Sequence, residues 1–379
     1  MKDFKEFINE NRELIFSTHK ALCLIPAPSH LEQKRAEYIK NWLENIGAKG
    51  VYIDEALNVI FPLNCENSNE ISVFAAHTDT VFPDLEPLPY EEKDGIIYNP
   101  GCGDDTAGVV VVMFAAKYFV ENNIVPPKGI MFVANSCEEG LGDLKGSKTL
   151  FKNFANRIKQ FVSFDGTYKF IHDKCVGSHR YEVEVKTKGG HALDDFGTPN
   201  SIAELSKIIS KIYEIEVPRK NGCLTSYNVG VINGGTSINT IAQSAKMLCE
   251  YRSQDVDCLA IMKDKFETIF ENAKKDGVEV IVKKIGDRPC MGNNLDLDAI
   301  EKMALVCEKA MKECTGYSEI IREPASTDCN VPLSLGVNAI CLGVCKANGF
   351  HTREENMEKQ SLLVGTEIGL KIIKGLLEE

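Results

Sequence analysis

The chain lacks a run of apolar residues long enough to span a bilayer. Its longest, Val109 to Ala116, stops at Lys117, well short of the roughly 20 residues that a transmembrane helix needs. The amino terminus, Met1-Lys2-Asp3-Phe4-Lys5-Glu6, has no apolar segment behind a basic start, so a secretory signal is not expected and the protein reads as cytoplasmic, with no membrane partner. A basic block is missing too. Lys and Arg number 43 against 55 Asp and Glu, for a formal net charge of -12, and no local cluster offsets it, which argues against nucleic acid as a partner. Paired cysteine spacings are also absent. The 14 cysteines are scattered singly, and are expected to be reduced, buried small residues rather than a disulfide frame. Internal repeats and low-complexity segments are not found.

What is present is material for a sizeable core. Of 379 residues, 44% are hydrophobic and 26% charged, enough for one large domain or two moderate ones. Periodicity predicts helices near Ala36 to Asn45 and over Thr106 to Glu121, and apolar strands at Ile71 to Ala76, Ile130 to Ala134 and Phe161 to Phe164. Apolar strands alternating with helices predict an α/β domain whose sheet is covered on both faces. From Tyr181 the texture changes, because Tyr181, Val183 and Val185 alternate with Glu182, Glu184 and Lys186, the period of a half-exposed strand. Then follow a helix (Ser201 to Tyr213), two strands (Leu224 to Ile232, Ala245 to Arg252), a helix (Leu259 to Lys275) and a strand (Val278 to Lys284), a β-α-β-β-α-β series of ferredoxin-like type. A helix (Leu297 to Glu313), an apolar strand (Ala339 to Gly343) and a closing helix (Leu362 to Leu377) resume the first pattern. The expected organisation is a first domain of residues 1–177 and 288–379, interrupted by a smaller α+β domain at 178–287.

Acidic residues and histidines gather at the ends of the apolar strands, where an α/β sheet presents its site. The strand from Ile71 runs into His77-Thr78-Asp79; residues two apart in extended chain face one side, so Asp79 can orient and polarise His77. Asn99-Pro100-Gly101-Cys102-Gly103-Asp104-Asp105 opens into the Thr106 helix, where free amides and the dipole favour a carboxylate, and Asp104 reads either as a ligand or as a plain N-cap. After Ala134 come Glu138 and Glu139. Adjacent carboxylates read as solvated surface, or as one that binds metal beside one that holds water. Asp165 follows a third strand, and His351 lies in the carboxy-terminal segment. Together His77, Asp104, Glu139, Asp165 and His351 supply nitrogen and oxygen donors suited to zinc, with cobalt or manganese as alternatives. Charge balance favours two divalent ions, matched by Asp104, Glu139, Asp165 and one hydroxide.

These residues fall in the stretches AHTDTVFPD, GCGDDTAG, NSCEEGLGDLKG, FDG, KGGHA, INGGTSINTIA, STDCN and NGFHTREE, spread in order across nearly the whole chain. The series resembles the M20 family of metallopeptidases, which includes peptidase T, the glutamate carboxypeptidases and the aminoacylases. The resemblance implies a mixed-sheet metallohydrolase domain with helices on both faces, interrupted by a ferredoxin-like lid domain that often dimerises. It implies that Asp104 bridges two metals, with His77 and Asp165 completing one site and Glu139 and His351 the other, and that Glu138 is the general base. It also implies a non-proline cis peptide at Asp104-Asp105 and a role for His191 in steadying the oxyanion, from the same or a partner subunit. Asn239 and Arg252 are implied to hold substrate, although Arg252 reads equally as an ordinary salt bridge. Thr106 departs from the pattern, since many members carry Lys there.

The function so implied is cleavage of an amide bond in a small peptide, as by a tripeptide aminopeptidase, with N-acyl-amino-acid deacylase or carboxypeptidase action as the alternative. The expected partners are a small peptide or acylated amino acid and a second copy of the chain joined through the lid. A noncatalytic binding protein would have lost ligands or base, yet all are present. A cysteine hydrolase would use Cys137 or Cys102, neither of which has an identifiable histidine partner in the sequence. His19, His30, His172 and His179 match no motif and are expected to be structural or at the surface.

Overall fold

The computed structural model describes residues 2–220 and 222–378. They form two compact units, Met1–Cys175 with Gly292–Glu379, and Val176–Met291. The second unit thus begins at 176 rather than 178 and ends at 291 rather than 287. Its strands Gly177–Thr187 and Val278–Arg288 pair from Thr187 with Val278 to Ser178 with Arg288, which carries both ends outward.

The first unit is built on an eight-stranded mixed sheet in the order Tyr52–Ile53, Val59–Leu63, Gly129–Asn135, Ile71–His77, Ile158–Phe164, Asn338–Leu342, Phe170–His172, Ile321–Arg322. The four strands from Gly129–Asn135 to Asn338–Leu342 run parallel. Ile71–His77 and Gly129–Asn135 are buried at every residue, and strands covered on both faces have to be apolar throughout instead of alternating. Because parallel strands share a direction, His77 and the segments that follow Asn135 and Phe164 leave the sheet at one edge.

The helix Thr106–Glu121 settles what lies over that edge. It is buried from Thr106 through Phe119, and a helix that is apolar on all sides must be enclosed. It shares its core with the sheet residues Phe74, Phe132 and Phe164, while the helices Arg12–Cys23 and Ser361–Glu378 pack against it as well. Its first turn comes so near the sheet that a Cβ on Gly108 would stand 2.0 Å from the Phe164 carbonyl oxygen. The loop before the helix is thereby brought down onto the strand ends. A separate sheet of short strands, ordered Ala347–Asn348, Asn356–Glu358, Ile96–Tyr98, Glu91–Lys93, ties the turn that carries His351 to that same loop.

The second unit is a four-stranded antiparallel sheet in the order Thr225–Gly234, Ser244–Ser253, Gly177–Thr187, Val278–Arg288. Tyr181, Val183 and Val185 point into a core with Met247, Tyr251 and the helices Ser201–Tyr213 and Val256–Asn272. Asn200 and Asp255 cap those helices by accepting backbone N–H groups, which fixes where each begins. All 14 cysteines are free and 12 are buried. Among the described residues no helix is long and apolar enough to cross a membrane.

The closing helix Ser361–Glu378 makes one contact that tests this packing. A Cβ on Gly365 would lie 1.7 Å from the Val344 carbonyl oxygen. In an open helix Gly→Ala stabilises by up to about 1 kcal/mol. Here the sign should reverse, and Gly365→Ala should cost about 1–3 kcal/mol, the usual penalty of overpacking. Urea unfolding of the two proteins checks this; a variant as stable as the parent would contradict the close approach.

Candidate metal centre

Five donor side chains meet at the edge where the parallel strands end. His77 closes the strand Ile71–His77, and its Nδ1 donates to the Asp79 carbonyl oxygen 3.0 Å away. That bond fixes the ring and leaves Nε2 facing Asp104 Oδ1 at 3.0 Å and Asp165 Oδ1 at 4.0 Å. His351, on a residue with φ of 63°, brings its Nε2 to 3.0 Å from Asp104 Oδ2 and 3.0 Å from Glu139 Oε1. The two oxygens of Asp104 therefore face two different histidines. The Asp104-Asp105 peptide is cis.

Donor atoms from His77, Asp104 and Glu139 lie within 4.8 Å of one another, and so do those from His77, Asp105 and Asp165. The second grouping contains Asp105 where the sequence reading has Asp104. Both Asp105 oxygens are engaged, Oδ2 by the His77 N–H at 3.0 Å and Oδ1 by the Gly108 N–H at 3.1 Å, and the side chain is fully buried. Asp104 is the better donor, and Asp105 is what holds His77 and the helix start together. The N-cap of the Thr106 helix is accordingly Asp105, not Asp104.

Asp79 does more than orient a ring. Its Oδ1 lies 3.5 Å from His77 Nδ1, but its shorter contacts go elsewhere. Oδ1 accepts the Glu138 N–H at 2.9 Å, and Oδ2 accepts the Glu139 N–H at 3.0 Å and the Ser29 hydroxyl at 2.6 Å. One buried carboxylate thus clamps the backbone of the Glu-Glu pair. Ser29 belongs to the site through Asp79. Glu32, which accepts the Cys137 N–H at 3.0 Å, and Asp328, which accepts from the Asn135 amide at 2.5 Å, belong through the segment that leads to Glu138. Their partners are distant in sequence, and no spacing rule points to them.

The charges are unevenly matched. Burial and the Asp104 charge push Asp165 well above the carboxylate range. Burial, with Asp104 and Glu138 adding to it against the pull of His351, brings Glu139 up to about 7. Asp104 goes the other way: burial alone would raise it, but His351 and His77 outweigh that and hold it low. His351 is pushed up to about 11 by its bonds to Asp104 and Glu139, and His77 is raised despite burial by Asp104 and Asp79. Asp104, Glu139 and Asp165 gather around two imidazoles and the Glu138 charge adds to theirs, so the set is anion-rich. Nitrogen and oxygen donors with surplus negative charge are the chemistry that borderline divalent cations require.

Cys137 does have a histidine partner, which the sequence does not reveal. His30 Nδ1 stands 3.4 Å from its sulfur and Glu32 Oε1 3.2 Å. The thiol is nevertheless buried, and burial together with Glu32 pushes it up to about 12, the reverse of what a nucleophile needs. Cys102 is raised as well, and the nearby His19 ring bonds the Cys102 carbonyl rather than its sulfur.

His191, Asn239 and Arg252 belong to the second unit. Gly190 and His191 pair with Ile241 and Thr240, and the Ala192 N–H donates to the Asn239 carbonyl at 3.0 Å, so the His191 and Asn239 loops lie side by side. His191 Nδ1 is 3.1 Å from Asp194. Arg252 bonds Glu250 through Nε at 2.7 Å and Nη2 at 3.0 Å, the salt-bridge arrangement that its position in the sequence also allowed.

Residues 73–375 match the family model described as peptidase family M20/M25/M40. A succinyl-diaminopimelate desuccinylase from Corynebacterium glutamicum is 23% identical over 340 residues, 87% of this chain and 88% of that protein. Among solved structures, a tripeptidase from Staphylococcus aureus matches with a TM-score of 0.72 at 22% identity, covering 96% of this chain and 98% of its own. A dinuclear metal-binding peptidase from Bacillus subtilis matches at 0.64 and 14%, covering 99% of each. The family match spans most of the chain, and the two structures share its fold from end to end: this chain belongs to peptidase family M20/M25/M40.

Proposed function

We propose that this chain is a two-metal hydrolase that cleaves an amide bond in a small peptide, acting as an aminopeptidase on tripeptides. The observation that carries the metal pair is the Asp104 carboxylate, each oxygen of which faces a different histidine at 3.0 Å. His77, Asp104 and Asp165 would hold one divalent ion and Asp104, Glu139 and His351 the other, with zinc favoured by the donor set. Bound there, the pair supplies Lewis acidity, lowering the pKa of a water and polarising the substrate carbonyl.

The protein's own groups do the rest. Glu138, whose backbone Asp79 holds in place, takes the proton of the attacking water and passes it to the leaving amine. His191 donates to the developing oxyanion, and Asn239 and Arg252 hold the substrate, Arg252 by exchanging Glu250 for a carboxylate. The peptide reading draws support from the family and from the likeness to the S. aureus tripeptidase. The desuccinylase relative favours a second reading, removal of an acyl group from an amino acid. A homodimer through the second unit belongs to the same proposal.

Chelator-stripped protein should lose turnover on a panel of tripeptides and succinylated or acetylated amino acids. It should regain turnover on adding Zn²⁺ or Co²⁺, with about two ions bound per chain. Tripeptide turnover supports the first reading and acyl release the second; full turnover in chelator with no bound transition metal would contradict both.

The adjacent glutamates should fail differently. Glu138→Ala should retain both ions and lose rate by roughly 10²- to 10⁴-fold, the contribution of a positioned proton shuttle. Glu139→Ala should weaken one ion, with activity partly recovered at high metal concentration. Metal content and turnover of the two variants, measured together, decide this: the opposite pattern would exchange the roles, and two fully active metal-replete variants would place the chemistry elsewhere.

A further inference from the structure

Glu355 lies in the NGFHTREE stretch and serves neither as a ligand nor as a base in the mechanism above. It is 1% exposed. Its Oε2 accepts the Gly101 N–H at 2.6 Å, and its Oε1 accepts the Gly103 N–H at 2.8 Å and the Asp104 N–H at 3.1 Å. The Glu355 carbonyl adds a fourth tie by accepting the Asn99 N–H at 3.2 Å. One residue therefore holds almost the whole loop from Asn99 to Asp104 through its backbone amides. That loop has no helix or strand of its own to satisfy them.

The same residue is anchored on the other side to His351. Asn348 pairs with Asn356 and Ala347 with Met357, so residues 349–355 form the closed turn of a hairpin with His351 on it. Asn356 pairs in turn with Tyr98, and the Glu355 contacts continue this pairing past the end of the strand. His351 and Asp104 are 247 positions apart in the chain, and Glu355 is a direct covalent and hydrogen-bonded link between them. The loop is also shaped to admit the carboxylate: a Cβ on Gly103 would stand 3.3 Å from Glu355 Oε1 and 2.6 Å from the Ala347 Cβ.

We propose that Glu355 is a positioning residue that sets Asp104 in register with His351, and so builds the second of the two metal sites. The inference rests on the two-metal reading. Both carboxylate oxygens accept backbone amides, and Glu355 belongs to neither group of donor atoms that lie within 4.8 Å of one another. Of the three residues proposed for the first site, His77 and Asp165 lie at the ends of sheet strands and only Asp104 is held by Glu355, whereas in the second both Asp104 and His351 lie on segments that Glu355 ties together. Glutamine in its place would offer a single acceptor oxygen and set an NH₂ group against an amide donor.

The test is Co²⁺ titration of the chelator-stripped full chain, followed by calorimetry and visible absorbance, for the parent, Glu355→Gln and the exposed neighbour control Glu354→Gln. The parent and Glu354→Gln should bind two equivalents. Glu355→Gln should bind the first as the parent does and the second roughly 10- to 100-fold more weakly, the usual effect of removing a group that orients a ligand. Unchanged binding at both sites would overturn the inference. Equal weakening at both, together with a lower melting temperature of the metal-free protein, would also overturn it by making Glu355 merely structural. If Glu355→Gln does not fold, Glu355→Asp, which keeps both oxygens on a shorter arm, decides by the same criterion. A parent chain that binds no Co²⁺ would instead remove the two-metal reading, and this inference with it.

Discussion

Crowding of negative charge at the carboxyl edge of the parallel sheet is the constraint on which the rest of the first unit depends. Asp104, Asp165 and Glu139 converge there around His77 and His351, with the Glu138 charge close by. Buried like charges repel and lose hydration, and Asp165 and Glu139 respond by holding their protons more tightly. Such a cluster persists only if a rigid scaffold forces it together. The enclosed apolar helix Thr106–Glu121 and the fully buried strands on which it lies provide that scaffold.

The ligand-bearing segments themselves are loops, and a common device steadies them. Asp79 accepts the amides of Glu138 and Glu139, Asp105 that of His77, Glu32 that of Cys137, and Glu355 those of Gly101, Gly103 and Asp104. In each case a carboxylate that is not a proposed ligand captures the backbone of a ligand or of the segment that leads to one. Charge-assisted bonds of this kind are stronger than neutral ones, and they fix chain direction without consuming the side chains that face the site. Acidic residues thus occur in two layers, an inner one of candidate metal ligands with Glu138 beside them and an outer one that holds backbone.

The inner layer was legible in the sequence and the outer one largely was not. His77, Glu139 and Asp165 follow short, mostly apolar runs that read as buried strands, so their place at the sheet edge could be read from the pattern. The helices Thr106–Glu121 and Ser201–Tyr213 begin and end where the pattern predicts, since Asp105 and Asn200 cap them. Strands of two or three residues, such as Ala347–Asn348 and Ile96–Tyr98, are too short to show a period. The bond from Glu355 to Gly103 spans 252 positions, and that of Asp79 to Glu138 spans 59; neither leaves a local signal. The His30 contact with Cys137 is hidden for the same reason.

The proposed function requires that two cations share Asp104. Crystals grown with Zn²⁺ and measured at its absorption edge test it most directly. Two anomalous peaks should flank the Asp104 carboxylate, one toward His77 and Asp165 and the other toward His351 and Glu139. A single peak at Asp104, or none there in protein that turns over peptide, would contradict a shared carboxylate.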